Sequence, residues 1–136
     1  QHHSGLLFSW KLRKGFSENI SIDRLKEYTN WFFIHEIQPH FKLEEEHIFT
    51  VLDSNHPLII RALKEHQRLK SLFLDVENPE ETLQLLEKEL EAHIRFEERI
   101  LFTEIQEVAT PERLIEIEKI HLNINSSEEY SDPYWE

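Results

Sequence analysis

The sequence predicts an all-α protein, folded as an up-down-up-down four-helix bundle with a short fifth helix at its C-terminal end. Three observations support this fold class. The 136 residues include only two glycines and five prolines, whereas leucine, isoleucine, glutamate and lysine are abundant, and this composition favours helices. Apolar residues recur at helical spacing through four long stretches. Serine, asparagine and proline at the joins between these stretches are typical of helix starts.

The first predicted helix covers residues 2 to about 14 and ends at Gly15, which suits a helix C-cap. Its apolar stripe continues from His3, and the other residues on that stripe are Leu6, Leu7 and Trp10. We therefore expect His3 to face the core. His2 lies about 100° around the helix, and it remains an alternative because helix ends fray.

The second predicted helix begins after the cap residue Ser21 and extends to Asp53. Pro39 interrupts it, because a proline removes one backbone hydrogen bond and clashes with the carbonyl four residues earlier. The sequence therefore predicts either a kink just before His40 or two helices with a break between them.

The third predicted helix opens with Pro57 in its first turn and runs to Phe73. On this helix His66 shares the apolar stripe and is expected to face the core. The fourth helix starts at the cap Asn78, which is followed by a proline and two acidic residues, and continues to about Val108.

A single domain of residues 1–122 is expected, consisting of the bundle and a short fifth helix that follows Thr110. Residues 123–136 form a polar tail. The aromatic end of this tail is expected either to pack back on the bundle or to bind a partner.

A segment rich in histidine and glutamate occurs twice, once in the second helix and once in the fourth. The first copy is HFKLEEEHIF, residues 40–49, and the second is HIRFEERILF, residues 93–102. Residues four apart lie one above the other on a helix, so each copy places a glutamate beside its histidine. The two pairs are His40 with Glu44 and His93 with Glu97.

Six side chains are candidate metal ligands: His3, His40, Glu44, His66, His93 and Glu97. Acidic residues occupy 27 of the 136 positions, so one such pair would carry little weight. Two copies with matching apolar flanks favour a buried site over solvated ion pairs, because a cation offsets the cost of burying these groups. Four histidines and two bridging glutamates suit two metal ions, and these donors suit iron, manganese or zinc.

Composition argues against several classes of protein. The formal charge of −12 argues against binding nucleic acid or anionic membrane surfaces, since both need basic residues. Cysteine is absent, which excludes disulfides, thiolate catalysis and iron–sulfur sites. No apolar run approaches the roughly twenty residues of a membrane span, and nothing resembles a signal peptide. We expect a soluble, cytoplasmic protein.

These motifs resemble the hemerythrin-like, HHE cation-binding domain family. The resemblance covers residues 2–108 and combines four features: an N-terminal histidine, a His-Phe-x-x-Glu-Glu segment, a Glu-His pair on the third helix, and a second His-x-x-x-Glu-Glu followed by Leu-Phe. It implies a four-helix bundle that holds two iron ions, Fe2+ or Fe3+, with an oxo or hydroxo bridge. The six candidate ligands match the family's positions, and manganese or zinc are alternative metals.

The sequence departs from the oxygen-carrying hemerythrins, which are similar but have His-x-x-x-His on the third helix. Here Ala62 and Lys70 lie four residues to either side of His66. Fewer histidines leave more open or water-filled coordination positions. This argues against simple reversible oxygen carriage and leaves room for redox chemistry, sensing or iron handling.

Two further residues leave alternatives open. The oxygen carriers place an acid five residues after the last histidine, a spacing that Glu98 has here, so either Glu97 or Glu98 is expected to bridge the metals. His47 lies one turn beyond Glu44. We expect it to be an ordinary, partly buried histidine, with a place beside or among the ligands as the alternative.

The function expected from these features is a di-iron protein that binds dioxygen, nitric oxide or peroxide as a sensor, a scavenger or an iron-responsive domain. One alternative is a di-iron redox enzyme that reduces peroxide or repairs nitrosative damage. Another is a metal-free, acidic helical interaction module. The sequence does not determine the oligomeric state or a protein partner.

Overall fold

The computed structural model describes residues 2–122 and 130–136, and the side chains of residues 5–119 and 130–136. Within these ranges all regular structure is helical and forms five continuous stretches, which confirms the predicted all-α class. We label them α1 (His2–Ser17), α2 (22–51), α3 (Pro57–Leu74), α4 (79–108) and α5 (Pro111–Leu122). No helix in the described part of the chain combines the length and the apolar character needed to cross a bilayer.

Helix α4 lies at the centre of the packing, since α1, α2 and α3 all contact it. The buried apolar side chains form two clusters. The larger one joins α1, α2, α3 and α4 and includes Phe8, Leu12, Phe41, Phe73 and Leu86. The smaller one joins α2, α3 and the second half of α4 and includes Ile48, Phe49, Ile59, Phe96 and Leu101. The up-down-up-down order of the four helices stays a prediction.

The face of α1 that packs into the core differs from the predicted one. Phe8 and Leu12 have no exposed surface, whereas Trp10 is 43% exposed. The stripe that led us to prefer His3 over His2 is therefore not the buried stripe of this helix. The side chains of both histidines lie outside the described residues.

The predicted end of α1 at Gly15 is wrong, because the helix continues to Ser17. Asn19 closes it in the left-handed conformation, with φ of 56°. The Ile20 N–H donates to the Gly15 carbonyl at 2.9 Å, as in a Schellman motif. Glycine at position 15 serves close packing instead, since a Cβ atom there would clash with the side chain of Leu25.

Helix α2 is continuous through Pro39, so the predicted break into two helices is wrong. The residues before the proline, Phe33–Ile37, form a π-helical turn in which the Gln38 N–H donates to the Phe33 carbonyl. A π turn adds one residue to the helical turn. The extra residue makes room for the proline ring, which would otherwise meet the carbonyl of residue 35.

The predicted N-caps differ in outcome. Ser21 caps α2 as expected, since its hydroxyl accepts from the Arg24 N–H at 3.3 Å. Asn78 precedes α4 but its side chain makes no capping bond. Asp75 makes the polar contacts there, accepting from the Glu77 N–H at 2.8 Å and from the Thr82 hydroxyl at 2.7 Å.

The aromatic end of the tail packs back on α1 and α2. Tyr134 is only 5% exposed, and its hydroxyl donates to the Lys11 carbonyl at 2.9 Å. Arg24 donates to Asp132 at 2.7 Å. The rest of the predicted tail, residues 123–129, lies outside the described residues, and the boundary after residue 122 stays a prediction.

We expect Phe8→Ala to lower the free energy of unfolding by about 3–5 kcal/mol, because it empties a fully buried site. The Phe8 ring stacks on Phe32 with centroids 4.4 Å apart, and this contact would be lost. Trp10→Ala on the same helix is the control, with an expected loss of about 1 kcal/mol or less. Chemical denaturation followed by circular dichroism measures both, and equal losses would contradict the observed orientation of α1.

Candidate metal centre

Four of the predicted ligands meet in the middle of the bundle. Glu44, His66, His93 and Glu97 each offer one nitrogen or oxygen atom, and these atoms lie within 4.8 Å of one another. None of the four residues is more than 2% exposed. Helix α2 supplies the first, α3 the second, and α4 the last two. Side chains that are distant in sequence thus form one buried group of two imidazoles and two carboxylates.

The other two predicted ligands, His40 and His3, are not among these four residues. His40 lies beside the group: its Nε2 atom is 3.4 Å from Oε2 of Glu44, and its side chain is 12% exposed. The side chain of His3 lies outside the described residues. The start of α1 nevertheless packs against α4 next to His93, because a Cβ atom on Gly5 would clash with the side chain of Ile94.

The polar atoms at the centre of the group suit a cation. His66 Nε2 lies 3.3 Å from Oε1 of Glu44, and His93 Nε2 lies 2.7 Å from Oε1 of Glu97. Among the described residues, His66 Nε2, His93 Nε2 and Glu97 Oε2 meet no partner in hydrogen-bonding geometry. Buried polar atoms in that state are unfavourable. Nitrogen and oxygen lone pairs directed at one point are the donor set of iron, manganese and zinc sites.

The outer nitrogen of each buried imidazole is bound to a carboxylate. His66 Nδ1 lies 2.8 Å from Oε2 of Glu45, and His93 Nδ1 lies 2.7 Å from Oε1 of Glu65. A carboxylate accepts, so Nδ1 carries the hydrogen and donates it. In the neutral imidazole, the Nε2 lone pair then points into the group. Metal-binding histidines usually have this arrangement.

These two outer carboxylates are functional residues that the sequence reasoning missed. Glu45 follows a ligand on α2 and binds the imidazole of α3, whereas Glu65 precedes a ligand on α3 and binds the imidazole of α4. Each therefore ties a buried histidine to the neighbouring helix. Both glutamates stand within the motifs that carry the family resemblance, Glu45 in His-Phe-x-x-Glu-Glu and Glu65 in the Glu-His pair, but a chain with 27 acidic residues gives no sign of which ones bind the histidines.

Aromatic rings surround the histidines and exclude water. Phe41 stacks on His66 with centroids 3.7 Å apart and planes at 4°, and Phe49 approaches the same imidazole at 5.3 Å. Phe96 lies 6.4 Å from His93. The group therefore lies between the two apolar clusters, where the low local dielectric strengthens its electrostatic interactions.

A π turn begins at the glutamate of each repeated motif. The turns are Glu44–Ile48 and Glu97–Leu101. In both, the residue four positions after the glutamate is buried and the residue three positions after it is exposed. Ile48 and Leu101 are the buried residues, and His47 and Ile100 the exposed ones. The predicted partial burial of His47 is therefore wrong, because the extra residue of the π turn rotates it away from the core.

The sequence allows either Glu97 or Glu98 to be the bridging acid, and the two differ in burial. Glu97 is 1% exposed and lies in the buried group. Glu98, the next residue, is exposed because it lies about 100° around the helix. The geometry favours Glu97.

Burial and close contacts shift the protonation of the group in the metal-free chain. Burial, together with the nearby charge of Glu97, raises the pKa of Glu44 well above its usual range. Burial opposes ionisation of Glu97 as well, but its contacts with Glu44 and His93 outweigh this and lower its pKa. Burial disfavours a charged His93, yet Glu65 and Glu97 raise its pKa to about 9. Burial lowers the pKa of His66. Without a metal, His93 is therefore protonated at neutral pH, and Glu44 keeps its proton to a higher pH than an ordinary glutamate does.

We expect His66→Ala or His93→Ala to lower the metal content of the reconstituted protein well below that of the wild-type chain, because each removes one donor nitrogen. His47→Ala is the matched control, since this side chain is half exposed and outside the group. Metal analysis of the purified variants measures the effect. Full metal content in either buried-histidine variant would rule out the proposed ligands.

Metal binding is also expected to tighten as the pH rises. His93, with its pKa of about 9, is protonated at neutral pH, and a protonated imidazole has no lone pair for a cation. The affinity for Zn2+ should therefore increase between about pH 6.5 and about pH 8.5, with release of protons on binding. Calorimetric titration in buffers of different ionisation enthalpy counts these protons. Binding that neither releases protons nor depends on pH would contradict this electrostatic picture.

Comparison with known proteins agrees with this geometry. Searches among curated proteins and among solved structures returned no match. The chain does match the family described as hemerythrin HHE cation binding domain, over residues 5–105. The matched range contains all four residues of the buried group. The chain therefore belongs to the hemerythrin HHE cation-binding domain family.

Proposed function

We propose that this chain is a non-haem di-iron protein whose centre binds dioxygen, nitric oxide or peroxide, as a sensor, a scavenger or an iron-handling domain. One observation carries the proposal: His66 Nε2, His93 Nε2 and Glu97 Oε2 converge in a buried group without a hydrogen-bond partner among the described residues. A cation satisfies such nitrogen and oxygen lone pairs together. It also offsets the cost of burying charged groups.

Six side chains would hold the two ions. The buried group supplies two imidazoles and two carboxylates, and the two glutamates would bridge. His40, together with His3 or His2 of α1, would complete the set. Iron is the metal that the family resemblance implies, and manganese and zinc are alternatives that the same donors suit. Two divalent ions carry a charge of +4, and the two glutamates, with a charge of −2, neutralise half of it.

The chain's own residues prepare this centre. Glu45 and Glu65 hold the Nδ1 hydrogens, so that both Nε2 lone pairs face inward. Phe41 fixes the plane of one imidazole by stacking on it and excludes water. An apolar wall of this kind suits small, weakly polar ligands. When bound, an iron pair supplies redox chemistry and coordination positions that such a ligand can enter.

A redox enzyme that reduces peroxide or repairs nitrosative damage is the second candidate. The observation that favours it is Ala62, which is fully buried as part of the smaller apolar cluster. Ala62 and Lys70 are the two positions four residues from His66, the spacing at which the oxygen carriers have a second histidine on the third helix. A methyl group at position 62 leaves a coordination position open for a reacting ligand.

Three less specific predictions belong to the same proposal. The first is the up-down-up-down order of α1 to α4, which is supported by short links of residues 18–21, 52–56 and 75–78. The second is a single domain ending near residue 122. The third is a cytoplasmic location, for which the acidic composition without cysteine is the support.

Anaerobic reconstitution with iron followed by optical spectroscopy tests the function. After exposure to air, we expect near-ultraviolet charge-transfer absorption that changes when azide is added, because azide enters an open coordination position. His93→Ala should lose this absorption, and His47→Ala should keep it. A chain that stays helical but shows no absorption above free iron would be a metal-free interaction module instead.

Peroxide consumption by the iron-loaded protein separates the two candidates. Steady turnover above that of free iron, lost in His93→Ala, would favour the enzyme. Binding of nitric oxide or azide without turnover would favour the sensor or scavenger.

A further inference from the structure

Arg61 reaches the buried group through an outer carboxylate. Its Nε atom donates to Oε2 of Glu65 at 2.8 Å, while the other oxygen of that carboxylate accepts from His93 Nδ1 at 2.7 Å. One carboxylate therefore connects a guanidinium to a buried imidazole. The guanidinium also lies over the ring of Phe96, 4.0 Å from its centroid, which holds it beside the centre.

We propose that Arg61 weakens the donor strength of His93 toward the metal by acting through Glu65. This inference rests on the proposed metal centre and concerns positioning residues, not ligands. A carboxylate that accepts from Nδ1 makes Nε2 a stronger donor, because its negative charge increases the electron density of the ring. A guanidinium bound to the same carboxylate neutralises part of that charge. Arg61 therefore opposes what Glu65 does.

The geometry distinguishes this contact from an ordinary surface ion pair. Arg61 and Glu65 are four residues apart on α3, and exposed pairs of this spacing usually contribute little. Here the glutamate side chain is only 28% exposed, and its second oxygen is bound to an imidazole that is 2% exposed. A change of charge at the partly exposed guanidinium thus reaches a buried nitrogen through two hydrogen bonds.

The imidazole of His66 also binds a carboxylate that has a cation nearby, but this cation is farther away. Glu45 accepts from His66 Nδ1 at 2.8 Å, but its nearest cation is Lys70, whose Nζ lies 4.0 Å away. A charge at that distance, with 43% of the lysine side chain exposed, is screened by water more strongly than a direct hydrogen bond. The two histidines of the group therefore differ in donor strength, because Arg61 weakens His93 more than Lys70 weakens His66.

The proposal predicts that substitutions of Glu65 and Arg61 change the metal affinity in opposite directions. Glu65→Gln keeps an acceptor for His93 Nδ1 but removes the negative charge, so metal binding should weaken. Arg61→Gln leaves the charge of Glu65 unopposed, so binding should tighten. If Arg61 served only to hold the glutamate in place, its loss would weaken binding, as the loss of Glu65 does.

The experiment is a titration of the full chain with Co2+, followed by visible absorption and by competition with a chelator. Arg68→Gln is the matched control, because Arg68 is as exposed as Arg61 and also binds a glutamate, Glu89, through Nε at 2.9 Å. That pair contacts none of the four buried ligands. Arg61→Lys keeps the positive charge without the guanidinium geometry. Circular dichroism of each metal-free variant confirms that it folds.

We expect Glu65→Gln to weaken Co2+ binding about 10- to 100-fold and Arg61→Gln to tighten it about two- to fivefold, the scale of an exposed ion pair. Arg68→Gln and Arg61→Lys should stay near the wild type. In the iron-loaded protein, Arg61→Gln should also lower the reduction potential, since a stronger donor stabilises Fe3+.

Weaker or unchanged Co2+ binding in a folded Arg61→Gln chain would overturn the inference while leaving the metal centre intact. A wild-type chain that binds no Co2+ at the buried histidines would overturn both this inference and the proposed function.

Discussion

Two imidazoles and two carboxylates buried at one point between three helices are the constraint on which this structure depends. Taking such groups out of water is unfavourable unless every polar atom finds a partner. The chain satisfies the outer side of each imidazole with a carboxylate, at 2.8 Å for His66 and 2.7 Å for His93. The inner side is directed at a shared centre. The rest of the bundle holds the four side chains in that position, where a cation would complete their bonding.

The outer and the inner glutamates of the centre differ in protonation because they differ in solvent access. Glu45 and Glu65 are about one third exposed, so water and nearby cations stabilise their negative charge. Glu44 and Glu97 have almost no exposed surface, and in the metal-free chain burial raises the pKa of Glu44 well above its usual range. Close contacts lower the pKa of both outer glutamates, which favours their ionised form, whereas Glu44 gives up its proton to a bound cation less readily than an ordinary glutamate would.

Both copies of the repeated motif contain a π turn at the same position. A π turn begins at Glu44 in one and at Glu97 in the other, and neither turn contains a proline or glycine. Local sequence therefore does not account for these turns. Packing does: each turn buries the glutamate together with the apolar residue four positions later, Ile48 or Leu101. The third π turn, before Pro39, has a local cause in the proline ring.

What the sequence determined by itself was whatever depends on neighbours along a helix. Composition and periodicity predicted the helices, and the spacing of four residues predicted the pairing of Glu44 with His40 and of Glu97 with His93, because helical geometry is local. The orientation of α1 was predicted wrongly. Its apolar residues cover more than one face, and the core of the other helices selects Phe8 over Trp10.

Only the tertiary structure decided which of 27 acidic residues bind the outer nitrogens of the histidines. Glu45 binds His66, 21 positions away, and Glu65 binds His93, 28 positions away. The packing of α2, α3 and α4 sets these distances, and no spacing along the chain encodes them. The sequence therefore predicted the donors that face inward, and the fold selected the residues that orient them.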